Sequence, residues 1–111
     1  MESIELTPGV PIYLQIQHAL TIEIASGKIS PGERLPSLNE LHGLHKCDRN
    51  TAVKVYDRLK KSGFVDSQHG RGFTVSDGAI EKARTVIKGS IQRRLREIKK
   101  ECERTGIEMK E

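Results

Sequence analysis

Two neighbouring segments set the architecture of this chain: LPSLNEL at residues 35–41 and CDRNTAVKVYDRL at residues 47–59. Ser37 precedes a short periodic apolar run, which predicts a helix start. Gly43 interrupts that helix, and Asp48 is placed to cap a second one. The apolar residues of the second helix gather on one side, namely Val55 and Leu59 with Val53 and Tyr56 nearby. The sequence therefore predicts two short helices joined by a tight break.

The second of these helices opens with polar side chains suited to base edges and phosphates: Arg49, Asn50, Thr51 and Lys54. Two short helices with a tight break, the second beginning with such residues, are typical of a helix-turn-helix. In that motif the second helix enters the major groove of DNA with its N-terminal end first. We therefore predict that this helix is a recognition helix.

Length and composition limit the architecture. At 111 residues the chain has room for one small domain and an appendage. Hydrophobic residues make up 35% of the chain and aromatic residues 4%, so the core is modest. A core of this size favours a second stabilising surface, such as a dimer interface.

Three features predict a cytoplasmic protein with no membrane segment. No apolar run approaches the roughly 20 residues of a membrane span. Glu2 and Glu5 replace the basic start of a signal peptide. Cys47 and Cys102 lie far apart and form no CxxC pair, which is typical of reduced thiols inside cells.

The position of the charges supports a DNA-binding surface. Residues 1–45 carry five acidic and two basic side chains, whereas residues 46–71 carry three acidic and seven basic ones. Residues 72–111 carry seven acidic and ten basic side chains. Positive charge therefore begins where the predicted recognition helix begins, as phosphate binding requires. A solvated surface with a small cationic excess remains an alternative interpretation.

The chain in order predicts a winged helix over residues 11–76, after a flexible lead-in at residues 1–10. Apolar periodicity predicts a first helix from Ile12 to Ala25, followed by a turn and a short strand within residues 29–35. The pattern predicts two strands, at residues 64–67 and 73–76, joined by a glycine-rich turn that exposes His69 and Arg71. This wing can touch a minor groove or phosphates, or it can simply be a hairpin packed on the third helix.

Residues 77–111 form the predicted helical tail. A single apolar stripe runs along it: Ile80, Ala83, Ile87, Ile91, Leu95, Ile98 and Cys102. The stripe can fold back on the domain, pair with a second copy or lie on a membrane surface; we favour pairing, which makes the tail a dimerisation helix. Thr105-Gly106 should end the helix, and a second short helix is expected from Ile107.

Many spaced motifs in residues 10–76 resemble the GntR family of bacterial transcription regulators. They are PIY at 11–13, SGKISPGERLPS at 26–37, Asn50-Thr51, Tyr56, Leu59, GFV at 63–65 and GRG at 70–72. The short tail is similar to the YtrA-type branch of that family. The resemblance implies a mainly α fold with a small β-hairpin, and a homodimer that binds a double-stranded operator, usually as a repressor.

The resemblance also implies which residues lie at or near DNA: Arg34, Ser37, Asp48, Arg49, Asn50, Thr51, His69, Gly70 and Arg71. Asn39 belongs to the same surface but departs from the family, which commonly has an arginine there. Asp48 stands where Asn, Ser or Thr is usual; it is a sound helix cap, but an acid close to phosphate disfavours tight binding.

Catalysis and metal binding find little support in the sequence. No nucleophile motif or P-loop is present, and we expect no enzyme activity, no cofactor and no catalytic residue. His42, His45 and Cys47 are the one group that could ligate zinc, but a solvated polar turn is the favoured interpretation and no metal is expected. The alternative function is a winged-helix module that binds another protein. The operator sequence and any small-molecule effector stay open.

Overall fold

The computed structural model describes residues 6–45, 47–68 and 72–110. Its elements are α1 (Ile12–Ala25), α2 (Leu38–His45), α3 (Arg49–Lys61), β1 (Val65–Gln68), β2 (Gly72–Val75) and α4 (Ala79–Thr105). Three helices form a core, the two strands form a hairpin, and a long helix follows. The predicted winged helix-turn-helix with a C-terminal helix is confirmed.

Helix α1 has the bounds that its apolar period predicts. Ile16, Leu20 and Ile24 are fully buried along one face, where α1 packs against α3 and α4. The preceding residues are tied to this helix, since the Gln15 side chain hydrogen-bonds the backbone of Thr7 and Val10. The lead-in therefore has contacts with the domain at residues 7–10.

Helices α2 and α3 each begin with a side-chain cap. The backbone N–H of Glu40 donates to Ser37 Oγ at 3.1 Å, and the Ser37 N–H donates to Glu40 Oε1 at 3.2 Å. This reciprocal capping box satisfies two donors at the start of α2. At α3, the N–H of Thr51 donates to Asp48 Oδ1 at 2.6 Å, so Asp48 is the cap that the sequence predicts.

The hairpin is antiparallel, with Val65 opposite Val75 and Gln68 opposite Gly72. Each strand differs by one residue from the predicted span. The segment before α2 adds to the sheet on its other edge: the Leu35 N–H donates to the Phe73 carbonyl at 2.8 Å, and Arg34 forms an isolated bridge with Thr74. The short strand expected within residues 29–35 is therefore reduced to a single bridge.

Tyr56 joins three parts of the domain. Its ring stacks on Phe73 of β2, with centroids 4.0 Å apart and an interplanar angle of 1°. Its hydroxyl donates to the carbonyl oxygen of Pro36, just before α2. Burial raises the pKa of Tyr56, so the hydroxyl stays protonated and keeps donating. One side chain of α3 thus fixes the wing and the segment before α2 relative to α3.

Helix α4 begins inside the domain and ends outside it. Ala79 and Ala83 are fully buried, and Ile87 packs on the same core. Arg84 Nη1 donates to the Ala25 carbonyl at 3.3 Å, which ties α4 to the C-terminal end of α1. The first part of the apolar stripe therefore folds back on the domain, which corrects the assignment of Ala83 to a surface that faces a second copy.

From about the middle of α4 onward, the apolar stripe is no longer covered by the domain. Ile91, Leu95 and Ile98 have exposed fractions of 44, 53 and 52%. The helix continues through Gly89 and ends at Gly106, whose φ of 72° is the left-handed conformation that favours glycine. Residues 107–110 are not helical, so the second short helix expected from Ile107 is wrong over this range.

No helix within residues 6–45, 47–68 and 72–110 has both the length and the hydrophobicity that crossing a membrane requires.

Candidate nucleic-acid interface

The N-terminal end of α3 is exposed, while one face of the same helix is buried in the core. Ala52, Val55 and Leu59 are fully buried, whereas Arg49 and Asn50 are exposed. Helix polarity adds a partial positive charge at this end, where unpaired N–H groups favour anions. The end of α3 therefore presents a guanidinium and an amide side chain on a rigid element.

The Asp48 carboxylate caps α3, and Arg49 has a different partner. Hydrogen bonds from the side chain and the backbone N–H of Thr51 lower the pKa of Asp48, so its carboxylate is ionised and engaged as the cap. Arg49 turns instead to α2, where its Nη1 donates to Asn39 Oδ1 at 3.4 Å. Asn39 thereby holds the guanidinium beside the start of α2, a contact between two helices that spacing in the sequence does not reveal.

Arg34 and Ser37 have partners at the first turn of α2. The Ser37 hydroxyl accepts from the Glu40 N–H, and Arg34 Nη2 lies 3.9 Å from Glu40 Oε1 in an ion pair whose side chains are both 62% exposed. Hydrogen bonds from the backbone and then the side chain of Ser37 lower the pKa of Glu40. An exposed pair of this kind is weak, so Arg34 is free to turn to a stronger anion.

Lys54 sits in a cluster that the sequence did not reveal. Its Nζ lies 3.9 Å from the ring centroid of Tyr13 on α1, and the Arg58 guanidinium carbon lies 5.4 Å from the same centroid. Arg58 Nε also donates to Gln17 Oε1 at 2.6 Å. Both cations are therefore steered toward α1, because a ring face attracts positive charge. Only the packing of α1 on α3 brings these residues together.

Val53 corrects the sequence interpretation of α3. The pattern placed it near the apolar face, but 37% of the residue is exposed to solvent. The face of α3 that carries Asn50 is thus partly apolar.

The elements of the predicted surface meet at one shallow cleft of about 240 Å³. It is lined by Ser37, Leu38, Asn39, Arg49, Gly72 and Phe73. The starts of α2, α3 and β2 therefore border the same depression. The wing residues His69, Gly70 and Arg71 lie outside the described residues.

The candidate zinc ligands have other roles. His42 Nδ1 donates to the backbone carbonyl of Cys47, and Cys47 is buried with its thiol 3.9 Å from the Leu41 carbonyl oxygen. Burial raises the pKa of Cys47, which disfavours the thiolate that binds metals. The side chain of His45 lies outside the described part of the chain. Among the described side chains, no three His, Cys, Asp or Glu residues are grouped to hold a metal.

A family model described as "Bacterial regulatory proteins, gntR family" matches residues 12–75, which span α1 to the end of β2. The chain belongs to this family. The predicted GntR membership is therefore confirmed, and the protein is a DNA-binding transcription regulator and not an enzyme.

Three relatives illustrate the likeness. The HTH-type transcriptional repressor YtrA of Bacillus subtilis is 31% identical over 96 residues, which cover 83% of this chain and 74% of that protein. The structure of YtrA from Sulfolobus acidocaldarius, a GntR-family transcription factor, is 26% identical with a TM-score of 0.62, covering 95 and 99% of the two chains. The DNA-binding domain of AraR in complex with operator ORX1 is 29% identical with a TM-score of 0.62, covering 68 and 96%.

Proposed function

We propose that this GntR regulator is a homodimeric repressor that binds a palindromic operator in the cytoplasm. The observation that carries the proposal is the N-terminal end of α3, which exposes Arg49 and Asn50 while Asp48 completes the helix cap. Two similar proteins support it, since one is a transcriptional repressor and the other is a DNA-binding domain in complex with an operator.

The chemistry of this helix end fits direct reading of bases. Arginine can donate two hydrogen bonds to guanine, and asparagine can pair in a bidentate manner with adenine. Arg49 and Asn50 are one residue apart at the first turn, so they would meet neighbouring base pairs. Thr51 is half-buried and its N–H is engaged by Asp48, so it contributes mainly to the shape of the helix start.

A second group of residues would bind the DNA backbone. Arg34 and Lys54 are cations at the edges of the surface, Ser37 and Asn39 border the cleft, and the wing carries His69, Gly70 and Arg71. Contacts of this type orient a protein on DNA and supply affinity that depends on salt but little on sequence.

Dimerisation would use the part of α4 that leaves the domain. Ile91, Leu95 and Ile98 are exposed on one side of the helix, with Cys102 half-buried beyond them. An exposed apolar stripe of this kind is stabilised when a second copy covers it. Ile80 and Ile87 are half-buried at the start of the helix and would lie at the edge of this surface. A twofold dimer in turn requires a twofold operator.

The proposal is tested by selecting duplexes from a random pool with the intact chain. Affinity for the selected sequence and for a scrambled duplex is then measured from about 50 to about 300 mM salt. We expect a clear preference for the selected sequence and a linear fall of log affinity with log salt. If no sequence is enriched and binding hardly responds to salt, the surface is a protein-docking site instead.

A further inference from the structure

The middle of the exposed face of α3 holds an apolar side chain. Val53 is 37% exposed, whereas Val55 and Leu59 on the same helix are fully buried. It lies one turn after Asn50 and one turn before Asp57, so these three share a face. Helix propensity favours alanine over a β-branched residue at an exposed position. Helix formation therefore does not account for a valine here, and more than a third of the residue is open to a partner.

The long cationic side chains around Val53 point away from it. Arg49 is held toward α2 by its hydrogen bond to Asn39, 3.4 Å long. On the other side, Lys54 lies 3.9 Å over the ring of Tyr13 on α1, and Arg58 bonds to α1 as well. The cations thus occupy the two edges of the helix face. The exposed part of the valine lies between these two edges.

This arrangement matches a cross-section of the major groove, with phosphates at both rims and base edges on the floor. The carboxylate of Asp57 would be repelled by phosphate, which places the centre of the face over bases rather than over the backbone. On the floor of the groove, the apolar group that a base presents is the 5-methyl group of thymine.

We infer that Val53 contacts the 5-methyl group of a thymine in each operator half-site and so selects a T·A pair beside the bases read by Arg49 and Asn50. The inference deepens the proposed function and rests on it. Val53 is then a specificity-determining residue that reads by apolar contact rather than by hydrogen bonding.

The test replaces each thymine of the selected operator in turn by deoxyuridine, which keeps base pairing and removes only the methyl group. We expect one thymine per half-site at which the replacement weakens binding about fourfold, the equivalent of about 0.8 kcal/mol for one buried carbon group. Replacement at the other thymines should change affinity less than twofold.

Variants assign the effect to Val53. With Val53→Ala, thymine and deoxyuridine at the sensitive position should bind equally well. Alanine is the better helix former, and far-UV circular dichroism checks the fold. Val53→Ser is a second variant that removes both methyl groups of the side chain, and it should be equally insensitive. The matched control is Val86→Ala, which trims an exposed valine on α4 and should leave the full thymine sensitivity in place.

Two results would overturn the inference while leaving the proposed function intact. One is sequence-specific binding in which no thymine is sensitive to deoxyuridine. The other is a sensitive thymine that stays sensitive in both Val53 variants. Binding without any sequence preference would instead overturn the proposed function, and this inference with it.

Discussion

Asp48 links the stability of α3 to pH. Its pKa is lowered by the hydrogen bonds from Thr51, so its contribution is complete above the ordinary carboxyl pKa of about 3.9 and is lost as pH falls through the lower folded value. Asp48→Ala should reduce the urea midpoint at pH 7 because the Thr51 N–H loses its acceptor. Asparagine caps equally well without titrating, so Asp48→Asn should keep the midpoint at pH 7.

The measurement compares urea midpoints between about pH 5 and about pH 2.5, where capping carboxylates become protonated. As pH falls, the urea midpoint of the wild type should decrease relative to that of Asp48→Asn. A difference that stays constant over this range would show that the Asp48 carboxylate does not carry the cap.

The contributions of the Tyr56 hydroxyl and of its ring to stability can be measured separately. Tyr56→Phe removes the donor to the Pro36 carbonyl and keeps the stack on Phe73, so unfolding free energy should fall by about 1 kcal/mol. Tyr56→Ala removes the buried ring as well and should cost about 3 to 5 kcal/mol. Tyr13→Phe is the control, because it keeps the ring face that meets Lys54. Urea denaturation measures all three, and equal losses in the two Tyr56 variants would contradict the assignment.

Some of these residues could be predicted from the sequence and others could not. Asp48 was predicted as a cap because Asp before an apolar helical run is a local signal. The capping box of Ser37 and Glu40 has an equally local signal, a serine followed three residues later by glutamate. The contact of Arg49 with Asn39 and that of Lys54 with Tyr13 depend on how helices pack, which no spacing within one helix encodes.

At the scale of elements, α4 is the clearest case of a pattern that predicts a helix but not its partner. Periodicity predicted one continuous apolar stripe, and the helix is indeed continuous from Ala79 to Thr105. The pattern could not show that Ala83 packs on the domain while Ile91 faces solvent, because both fit the same period. Which residues of α4 are buried depends on how far the helix stays packed against α1 before it extends away from the domain.

Gly89 within α4 and Gly106, which caps its C-terminal end, should respond oppositely to alanine. At both positions an added Cβ meets nothing within 4 Å, so only the backbone conformation differs. Gly89 lies in the helical interior, where alanine stabilises by about 0.5 to 1 kcal/mol. Gly106 has a φ of 72°, where alanine is strained, so Gly106→Ala should destabilise the helix end. Thermal unfolding followed by circular dichroism checks the signs, and a loss of stability in Gly89→Ala would contradict the account.

The exposed half of the stripe carries the proposed dimer. Replacing Ile91 and Leu95 together by glutamate should give monomers, because two carboxylates would be buried in an apolar contact. Lys100→Glu is the matched control, since it changes the charge by the same amount on the opposite side of the helix. Sedimentation velocity distinguishes monomer from dimer. If the double variant still sediments as a dimer, the interface lies elsewhere.

At the scale of the whole molecule, two kinds of surface are separated along its 56 Å length. The winged helix carries the proposed reading end of α3 and the cationic edges, and the exposed half of α4 carries the apolar stripe. Breaking the dimer should therefore weaken operator binding without changing which bases each half-site prefers, since the reading residues stay in place.

The central claim is that the N-terminal end of α3 reads sequence, while Lys54 and the wing supply general affinity. The most direct test titrates Arg49→Ala, Asn50→Ala, Lys54→Ala and Arg71→Ala against the selected operator and a scrambled duplex at several salt concentrations. The account predicts that the first two lower the ratio of specific to scrambled affinity. Each should reduce the corresponding free-energy difference by about 1 to 3 kcal/mol. The last two should weaken binding to both duplexes and flatten the salt dependence. If Arg49→Ala and Asn50→Ala both leave the ratio unchanged, α3 is not the reading helix and the account is wrong.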